Sequence, residues 1–353
     1  MRILVYEFVS GGGLAGCEVP AALGREAAAM VEALVADLAA IGGHDLVTTA
    51  DARFPPTVPR GVDVVTLSVA RKAREATLDR LMASADAVWL IAPETDRCLE
   101  RLAAKAEQLR VPVLGASVSA IRRASDKGGL PRRLARVGVR HPETRVLPAG
   151  AGCARAAREI GYPVVVKPRR GAGCGGVCLA RNPRELRGAL TVARQAAGRG
   201  PLVLQQYVAG RAASVSLLAD GCRAMALTLN AQSVRASRPF AYCGGRTPFD
   251  HPLASQAIEA ALGACDALPG LRGFVGVDMV LTPTDAFVIE VNPRLTTAYL
   301  GVRSALDENV AALALAACTG RLPAPPVARR TVRFSAAGRI VSTERYASEW
   351  NVA

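Results

Sequence analysis

Apolar residues in the first third of the chain alternate between strand-like runs and helix-like stretches. Strand-like runs occupy residues 2–9, 44–49, 62–67, 87–92 and 111–114, and helical patterns occupy residues 20–41, 71–84 and 98–109. Strands that alternate with helices in this way are typical of a parallel sheet covered on both faces. The pattern predicts a doubly wound α/β domain, which we place at residues 1–117.

The strand ends of this domain indicate where a ligand would bind, because ligands of open α/β sheets bind beyond the carboxyl ends of the strands. The first strand carries Glu7 and runs into the glycine stretch 11–13, and the strand at 87–92 ends shortly before Glu94. A glycine loop lets a ligand approach the backbone, although a plain tight connection explains it equally well. We expect substrate contacts from Glu7, Gly12, Gly13 and Glu94.

The rest of the chain mixes helices, antiparallel strands and glycine-rich turns. Helical patterns cover residues 117–137, 154–160, 183–197, 252–267 and 307–318, and strand patterns cover residues 164–168, 177–180, 202–208, 214–218 and 224–229. The stretch 230–250 reads as an irregular loop, either plain surface or the border of a pocket with Arg235, Gly244 and Gly245 as substrate contacts. We place an α+β domain at residues 118–322, with a lid at about 154–204, and a linker with a terminal hairpin at 323–353.

Two carboxylates lie inside an apolar hairpin near the end of this second domain. The stretch 276–294 reads as two strands around a turn, with Asp278 on the first strand and Glu290 and Asn292 on the second. Cross-strand neighbours share a face, so these side chains can converge. A solvated hairpin edge is the plain alternative, but a buried carboxylate needs a cation nearby. An all-oxygen set suits Mg²⁺ that holds nucleotide phosphates, and Arg294 on the same face would neutralise phosphoryl charge.

Lysine is rare in this chain, with only four among 44 basic residues. Where arginine is used so readily, a lysine marks a position that needs a compact point charge. Lys127 follows Ser125 and Asp126 in a helical pattern, and Lys167 ends a strand before the glycine-rich turn 169–176. The backbone N–H groups of such a turn can cover phosphates, although many glycine-rich turns are only mobile. With Lys167 at the base of the turn, phosphate contact is the better interpretation.

Composition and charge narrow the class of protein. The chain has 353 residues, of which 50% are apolar and 4% aromatic, and a net charge of +14. This is a globular composition without an apolar run of 18 residues, so we expect no membrane partner. Nine scattered cysteines without a C-x-x-C pair favour a reducing, cytoplasmic compartment over disulfides or zinc. The arginines are spread out without aromatic interleaving, so we expect no nucleic-acid partner.

Taken together, the motifs resemble the ATP-grasp ligases over about residues 1–320. The features that carry the resemblance are Lys127, Lys167 with its glycine turn, the strand that ends at 205–208, and the spacing D-x₁₁-E-x-N-x-R. The resemblance implies a pre-ATP-grasp domain followed by two subdomains that grip ATP between their sheets. It further implies phosphate contacts from Lys127 and Lys167, a flap over the phosphates with Gly171, Gly173, Gly175 and Gly176, an adenine hinge with Gln205, Gln206, Tyr207 and Val208, and Asp278, Glu290 and Asn292 as ligands of two Mg²⁺ ions, with Mn²⁺ as an alternative.

Two positions depart from patterns found within this superfamily. Many relatives carry a carboxylate for the ribose hydroxyls seven residues after the start of the hinge, where this chain has Ala212. D-Alanine–D-alanine ligases carry an arginine two residues before the metal aspartate, where this chain has Gly276. The ribose contact is therefore expected from elsewhere, and that subfamily is disfavoured. Arg294 and Lys167 are expected to act in catalysis, with Arg235 as a further candidate.

Four segments resemble the tyramine–glutamate ligases of methanofuran biosynthesis: MRILVYEFVSGGG, IAPETDRCLERL, ASDK and IEVNPRLTTAYLGV. The last segment contains Thr296, which we expect beside the substrate. This resemblance implies an ATP-dependent ligase that joins L-glutamate to tyramine or tyrosine as a γ-glutamyl amide. The product would lead to methanofuran or the related methylofuran, a cofactor of one-carbon metabolism. The resemblance leaves a homodimer open.

Three other functions compete with this interpretation. One is an ATP-grasp ligase for a different amino-acid pair, which would form a dipeptide or an isopeptide. Another is a non-catalytic nucleotide sensor, which the complete set Asp278, Glu290 and Asn292 argues against. The last is a nucleic-acid binder, for which the net charge is the sole indication.

Overall fold

The first sheet of the molecule contains four parallel strands. In this computed structural model, which describes residues 1–147 and 152–346, the strands are β1 Arg2–Glu7, β2 Asp45–Ala50, β3 Asp63–Thr66 and β4 Ala87–Ile91. The order in the sheet is β3-β2-β1-β4. The helices of this region are α1 Ala21–Ile41, α2 Arg71–Ala83 and α3 Cys98–Gln108. The predicted doubly wound α/β architecture is confirmed.

Helices cover both faces of this sheet because the side chains of β1 alternate between them. Ile3 and Val5 join an apolar cluster with Leu34 of α1, whereas Leu4 joins another cluster with Leu99 of α3. A short helical turn at Val9–Gly13 follows β1, and another at Thr95–Arg97 follows β4. The strand predicted at 111–114 is wrong as a full strand, since it is reduced to a single bridge between Val88 and Val113.

The prediction of one continuous helix at 117–137 is wrong. The region is divided into α4 Val118–Ala124 and α5 Leu130–Arg136. Asp126 causes the break, because its Oδ1 accepts hydrogen bonds from the backbone N–H groups of Gly128 at 3.1 Å and Gly129 at 3.2 Å. Such side-chain acceptors compete with helical hydrogen bonding. Lys127 consequently lies in a turn and not on a helix face.

The second sheet has four antiparallel strands. They are β5 Thr144–Leu147, β6 Val164–Pro168, β7 Cys178–Ala180 and β8 Leu202–Gln206, in the order β5-β8-β6-β7, with the helices α6 Cys153–Ile160 and α7 Pro183–Ala197. The start of α7 follows from its sequence, since the Asn182 side chain accepts hydrogen bonds from the N–H groups of Arg184 and Glu185 and Pro183 occupies the first turn.

The third sheet is antiparallel and has seven strands. They are β9 Arg211–Asp220, β10 Ala224–Arg235, β11 Ala241–Thr247, β12 Arg272–Leu281, β13 Ala286–Asn292, β14 Arg330–Ser335 and β15 Ile340–Arg345. Their order is β13-β12-β9-β10-β11-β14-β15. The helices of this part are α8 Ala254–Asp266, α9 Ala298–Ala305 and α10 Val310–Cys318. With the second sheet, this sheet forms the predicted ATP-grasp architecture, so the fold class is confirmed.

Two expectations for this region are wrong. Residues 230–250 were expected to form an irregular loop, but they contain the end of β10 and all of β11, which pair antiparallel across a bulge. Their polar and arginine-rich composition hides the strands, because neither strand has a continuous apolar face there. The helix α9 was not expected, and the helix expected at 307–318 begins only at Val310, after the Asn309 cap.

The two ends of the chain pack on each other. Leu34 and Leu38 of α1 lie in the same apolar cluster as Tyr299 of α9 and Val310 and Ala314 of α10. The predicted terminal hairpin exists as β14 and β15 and extends the large sheet through β11. The last part of the predicted segment 323–353 lies outside the described residues.

Among the helices of residues 1–147 and 152–346, none is both long enough and apolar enough to cross a lipid bilayer.

Candidate functional site

The candidate site is organised around the hairpin of β12 and β13. The register of this hairpin places Asp278 opposite Glu290, and Gly276 opposite Asn292. The Asp278 carboxylate accepts a hydrogen bond from Gln232 Nε2 at 2.8 Å through Oδ1 and another from Asn292 Nδ2 at 2.9 Å through Oδ2. The structure therefore brings together the three residues expected to bind metal.

The two carboxylates repel each other where little water reaches them. Burial, with the negative charge of Glu290 as the second cause, raises the pKa of Asp278 to about 6. Within the described residues, no three His, Cys, Asp or Glu side chains form a metal cluster, so the donor set is two carboxylates and the Asn292 amide. Hard oxygen donors of this kind fit Mg²⁺, and a divalent cation would remove the repulsion.

Lys127 connects this hairpin to the glycine-rich turn. Its Nζ donates to Glu290 Oε1 at 2.7 Å and to the carbonyl oxygen of Gly171 at 2.7 Å. The turn that carries Lys127 is fixed by Arg169, whose Nε donates to Asp126 Oδ1 at 2.6 Å. Lys127 is only 4% exposed, so its positive charge compensates Glu290 in an environment where water cannot.

Lys167 lies on β6 with a neutral hydrogen-bond partner. Its Nζ donates to Gln205 Oε1 at 2.9 Å, and Gln205 Nε2 donates to Thr144 Oγ1 at 2.8 Å. Burial lowers the pKa of Lys167 to about 8, although the negative charge of Glu290 opposes this effect. An anionic ligand beside Lys167 would favour its charged form.

The glycine-rich turn between β6 and β7, residues 171–176, is called the flap below. Gly173 and Gly175 line the cavity described below, whereas Gly171 bonds to Lys127. Gly176 has a φ of +72°, and an added Cβ would lie 2.4 Å from Cβ of Ala196. Glycine is required there for close packing and for the left-handed backbone, which few other residues adopt.

The flap is attached at both of its sides. The Ala172 N–H donates to Thr95 Oγ1 at 3.3 Å, which joins the flap to the turn after β4. The Phe240 N–H donates to the carbonyl oxygen of Val177 at 2.8 Å, which joins the end of the flap to the segment between β10 and β11. The flap, whose residues Ala172, Gly173 and Gly175 line the cavity, is thus joined to the first sheet and to the large sheet.

The predicted hinge lies along one wall of the same cavity. Gln205, Gln206, Tyr207 and Val208 all line it. The Gln206 N–H already donates to the carbonyl oxygen of Glu143 at 2.8 Å. A backbone contact from Gln206 to adenine would therefore use its carbonyl oxygen. Ala212 also lines the cavity, so the position without a ribose carboxylate faces the ligand space.

Arg294 joins the hairpin to the first sheet. Its side chain is 13% exposed, and its Nε and Nη2 donate to Glu94 Oε1 at 2.9 Å and Glu94 Oε2 at 3.0 Å. Glu94 is 2% exposed and follows β4. A bidentate pair of this kind fixes the plane of the guanidinium group. The pair holds Arg294 beside the carboxylates of the hairpin. Burial acts to lower the pKa of Arg294, but the charges of Glu94, Glu290 and Asp278 together raise it.

A single cavity of about 900 Å³ unites these parts. The predicted residues that line it are Glu7, Lys167, Gly173, Gly175, Gln205, Gln206, Tyr207, Val208, Asp278, Glu290, Asn292, Arg294 and Thr296. Lys127 and Glu94 do not line it but bond to Glu290 and Arg294, which do. Gly171 bonds to Lys127, and Gly176 packs against Ala196. Its volume of about 900 Å³ lies in the upper part of the range of ligand pockets, roughly 300–1,000 Å³.

Besides Glu94, five other predicted substrate contacts do not line this cavity. Gly12 and Gly13 pack against Leu67 and Phe8, because an added Cβ would lie 2.9 Å from Leu67 Cβ and 2.4 Å from Phe8 Cδ2. Arg235 is exposed at the end of β10. Gly244 and Gly245 lie where β11 approaches β14, with Phe334 atoms 2.1 Å and 2.9 Å from an added Cβ. These glycines are explained by close packing, and a ligand is not needed to account for them.

Several cavity residues were missed by the sequence interpretation. Gln232 of β10 bonds to Asp278, and Tyr242 of β11 lines the cavity next to it. Both lie in the stretch that was expected to be a loop. Glu26 of α1 was missed because a lone glutamate in an amphipathic helix gives no signal of its own. For Gln232, the only sign in the sequence would have been the alternation of side chains that is typical of a strand.

Two family models match the chain. Residues 44–121 match the model described as a pre ATP-grasp 3 domain, and residues 124–298 match the model described as an ATP-grasp domain. The second match contains Lys127, Lys167 and the hairpin carboxylates.

Solved structures with a similar fold cover most of the chain. A crystal structure from Archaeoglobus fulgidus, described as that of an ATP-grasp superfamily protein, is 24% identical, covers 94% of this chain and 92% of that chain, and has a TM-score of 0.68. The L-amino acid ligase from Bacillus licheniformis is 17% identical, with 94% and 78% coverage and a TM-score of 0.66. The D-alanine–D-alanine ligase from Bacillus anthracis, complexed with ATP, is 18% identical, with 83% and 85% coverage and a TM-score of 0.57.

Proposed function

This chain belongs to the ATP-grasp superfamily of ATP-dependent ligases that form C–N bonds, and from that premise we propose that it joins L-glutamate to tyramine or tyrosine as a γ-glutamyl amide. The observation that carries the proposal is the continuous cavity. It reaches from the hinge, past Lys167 and the hairpin carboxylates, to the strand ends of the first sheet. Such a cavity can hold ATP, an acid and an amine in line.

The proposed reaction has two steps. The γ-carboxylate of glutamate attacks the γ-phosphate of ATP, and ADP leaves as an acyl phosphate forms. The amine nitrogen then attacks the acyl carbon, phosphate leaves, and the amine proton is released as the amide forms. The protein contributes positioning and charge stabilisation, since phosphoryl transfer needs little covalent help.

The buried basic residues stabilise the charge that spreads over the transferring group. Lys167 and Arg294 supply fixed positive charge at the cavity wall. Asp278, Glu290 and Asn292 would hold Mg²⁺, which neutralises phosphate oxygens when bound. Removing one such group typically raises the barrier by about 2.7–4 kcal/mol.

A closed flap would have a chemical purpose in this scheme. An acyl phosphate is hydrolysed if water reaches it, so the site has to be covered between the two steps. The bonds from Ala172 to Thr95 and from Phe240 to Val177 hold the flap over the cavity. Opening of these two bonds would admit ATP and release ADP.

The proposal extends to the setting of the reaction. We assign the product to methanofuran or methylofuran biosynthesis in one-carbon metabolism, in the cytoplasm. Two Mg²⁺ ions, replaceable by Mn²⁺, would act with ATP, and the enzyme would be a monomer or a homodimer. The domains are proposed at residues 1–117 and 118–322, with the lid at about 154–204.

A second candidate is a ligase of the same mechanism for another amino-acid pair. The similarity to the L-amino acid ligase from Bacillus licheniformis favours it. The nucleotide and metal residues would keep their roles, and only the occupants of the cavity next to the first sheet would differ.

The test is release of ADP by the purified enzyme with ATP, Mg²⁺ and L-glutamate, with tyramine, tyrosine or lysine added in turn. We expect ADP and a γ-glutamyl amide, identified by mass spectrometry, with tyramine or tyrosine only. ADP with a different pair would replace the proposed substrates by the second candidate. ADP release without any amide under all pairings would exclude ligation of these acids and amines.

Glu290→Gln is the matched variant for this assay. It keeps the size of the side chain but removes one metal-binding charge, so we expect turnover to fall roughly 10²- to 10³-fold. Glu308→Gln makes the same change at an exposed position and is expected to keep full activity. Wild-type turnover in Glu290→Gln would remove Glu290 from the proposed metal site.

A further inference from the structure

One face of α1 forms part of the cavity wall. Leu23, Glu26, Ala27 and Met30 all line the cavity. Their spacing of three, four and seven residues places them on a single stripe of the helix. Glu26 is thus a carboxylate set within an otherwise apolar strip, on the side of the cavity that belongs to the first sheet.

The contacts of Glu26 leave half of its carboxylate for a ligand. Its Oε1 accepts a hydrogen bond from Thr297 Oγ1, at the start of α9. In the described part of the chain, Oε2 makes no hydrogen bond. Burial raises the pKa of Glu26, and the Arg294 guanidinium partly opposes this effect. Glu26 therefore lies within electrostatic reach of Arg294, beside the position where the acyl phosphate would form.

The other glutamate on this wall is already used by the protein. Glu7 is 3% exposed, and its Oε2 accepts hydrogen bonds from the Ser10 N–H at 2.5 Å and from Ser10 Oγ at 2.8 Å. These bonds hold the helical turn after β1. Glu7, which is almost fully buried, is thus a structural acceptor, whereas Glu26 is partly exposed and can accept from a bound cation.

The surroundings of Glu26 suit an apolar body attached to that cation. Phe8, Leu14 and Tyr242 line the same cavity. The Tyr242 ring is close enough to Glu26 and Asp278 that both negative charges add to burial in raising the pKa of its hydroxyl. An aromatic ring next to apolar side chains gains from burial and from ring packing.

We propose that Glu26 binds the ammonium group of the amine substrate, and that the stripe of α1 and the ring of Tyr242 hold its apolar body. The ligand class is a primary amine that carries an aromatic or apolar group. The inference rests on the proposed ligase function and adds the subsite for its second substrate. A charged hydrogen bond at this position brings the amine nitrogen near the acyl carbon before the ammonium group loses its proton.

Glu26→Gln tests this subsite, because glutamine can still accept the Thr297 hydrogen bond while losing the charge. We expect KM for tyramine to rise about tenfold or more, with KM for ATP and for glutamate unchanged. Hydroxylamine is a neutral, small nucleophile that does not need an ammonium site. Formation of glutamyl hydroxamate in its presence should therefore be unchanged in Glu26→Gln.

Glu32→Gln is the matched control on the same helix. Glu32 Oε1 accepts a hydrogen bond from the Thr57 N–H at 2.7 Å, away from the cavity, and glutamine preserves that acceptor. All parameters should stay at wild-type values in this variant. An unchanged KM for tyramine in Glu26→Gln, or a parallel loss of hydroxamate formation, would overturn the assignment.

A failure of the ligase function gives a different pattern, because the wild type would then form neither amide nor hydroxamate. In that case calorimetry with tyramine decides on the subsite. Binding by the wild type and Glu32→Gln, with at least tenfold weaker binding by Glu26→Gln, supports it. Absence of binding to the wild type, or equal affinity in all three proteins, excludes it.

Discussion

Lys167 is a buried cation whose hydrogen-bond partner is the neutral side chain of Gln205. Burial lowers its pKa to about 8, so it is charged below pH 8 and loses its proton above that value. Bound phosphate would favour the charged form. The affinity for ATP therefore depends on the proton held by this side chain.

We expect the Kd for ATP to rise roughly tenfold between pH 7 and pH 9, since only a minor fraction of Lys167 stays charged at pH 9. Lys167→Arg should bind ATP with little dependence on pH, because a guanidinium keeps its proton throughout this range. The measurement is calorimetric titration of ATP at several pH values.

Lys105→Arg is the control for this titration, because Lys105 pairs with Asp79 at the surface, where the two side chains are 40% and 41% exposed. Its pH profile should follow that of the wild type. A wild-type Kd independent of pH, or the same profile in Lys167→Arg, would contradict the role given to Lys167.

Residues with a rare type or a fixed spacing could be predicted from the sequence. Lys127 and Lys167 stood out among arginines, and Asp278 and Glu290 stood out inside apolar strands. Glu26 and Gln232 could not be predicted, because their importance comes from neighbours that are distant in sequence. Glu26 meets Thr297 only after α1 packs on α9.

The pairing of β11 with β14 depends on glycine. Gly244 has a φ of +122°, and an added Cβ would lie 2.1 Å from the carbonyl oxygen of Phe334. A side chain at this position would push the two strands apart. The close approach explains why this strand carries two successive glycines despite being central in the large sheet.

Gly244→Ala should reduce the free energy of unfolding by about 1–3 kcal/mol from the clash, in addition to backbone strain. Gly42→Ala is the control, because Gly42 also has a positive φ of +73° but no atom within 4 Å of an added Cβ. It should lose only the strain of a backbone with φ +73° and ψ 173°, about 1–3 kcal/mol. Urea unfolding of both variants gives the comparison. Equal losses would show that β14 does not constrain β11.

Elements could be predicted where their local pattern was strong. The hairpin of β12 and β13 has clear alternation around a turn, and α7 has an Asn-Pro start. The break between α4 and α5 could not be predicted, because it depends on side-chain bonds from Asp126 to the following backbone. The strands β10 and β11 could not be recognised in the sequence for a related reason. Their polar ends are held by hydrogen bonds to neighbouring strands and show no apolar face.

The first sheet and the ATP-grasp part are joined through Asp37 of α1. Its Oδ2 accepts hydrogen bonds from Tyr299 Oη at 2.5 Å and Arg303 Nε at 2.8 Å, and its carbonyl oxygen accepts one from Asn309 Nδ2 at 2.8 Å. All three donors come from the region of α9 and α10. The two parts should therefore unfold together.

Asp37→Ala leaves the buried Tyr299 hydroxyl without its acceptor, so we expect a loss of about 2–3 kcal/mol in one cooperative urea transition followed by circular dichroism. Asp45→Ala is the control, since Asp45 and its partner Arg2 are 51% and 39% exposed, and it should cost less than about 1 kcal/mol. Two separate transitions, with only one moved by Asp37→Ala, would contradict the coupling.

The order of the domains could be predicted for the molecule as a whole, because the alternating strands and helices precede the antiparallel part. The seven-stranded sheet could not be predicted from the sequence. The terminal hairpin looked like a small separate unit, and only the structure shows that β14 pairs with β11. Long-range strand pairing leaves no local trace in either partner.

The packing of α10 on α1 has a consequence for synthesis of the protein. α1 leaves the ribosome early, but its partner α10 ends only at Cys318. At about 5–20 residues per second, the apolar side of α1 waits on the order of tens of seconds for its cover. The native packing of α1 therefore becomes accessible only after α10 has been synthesised.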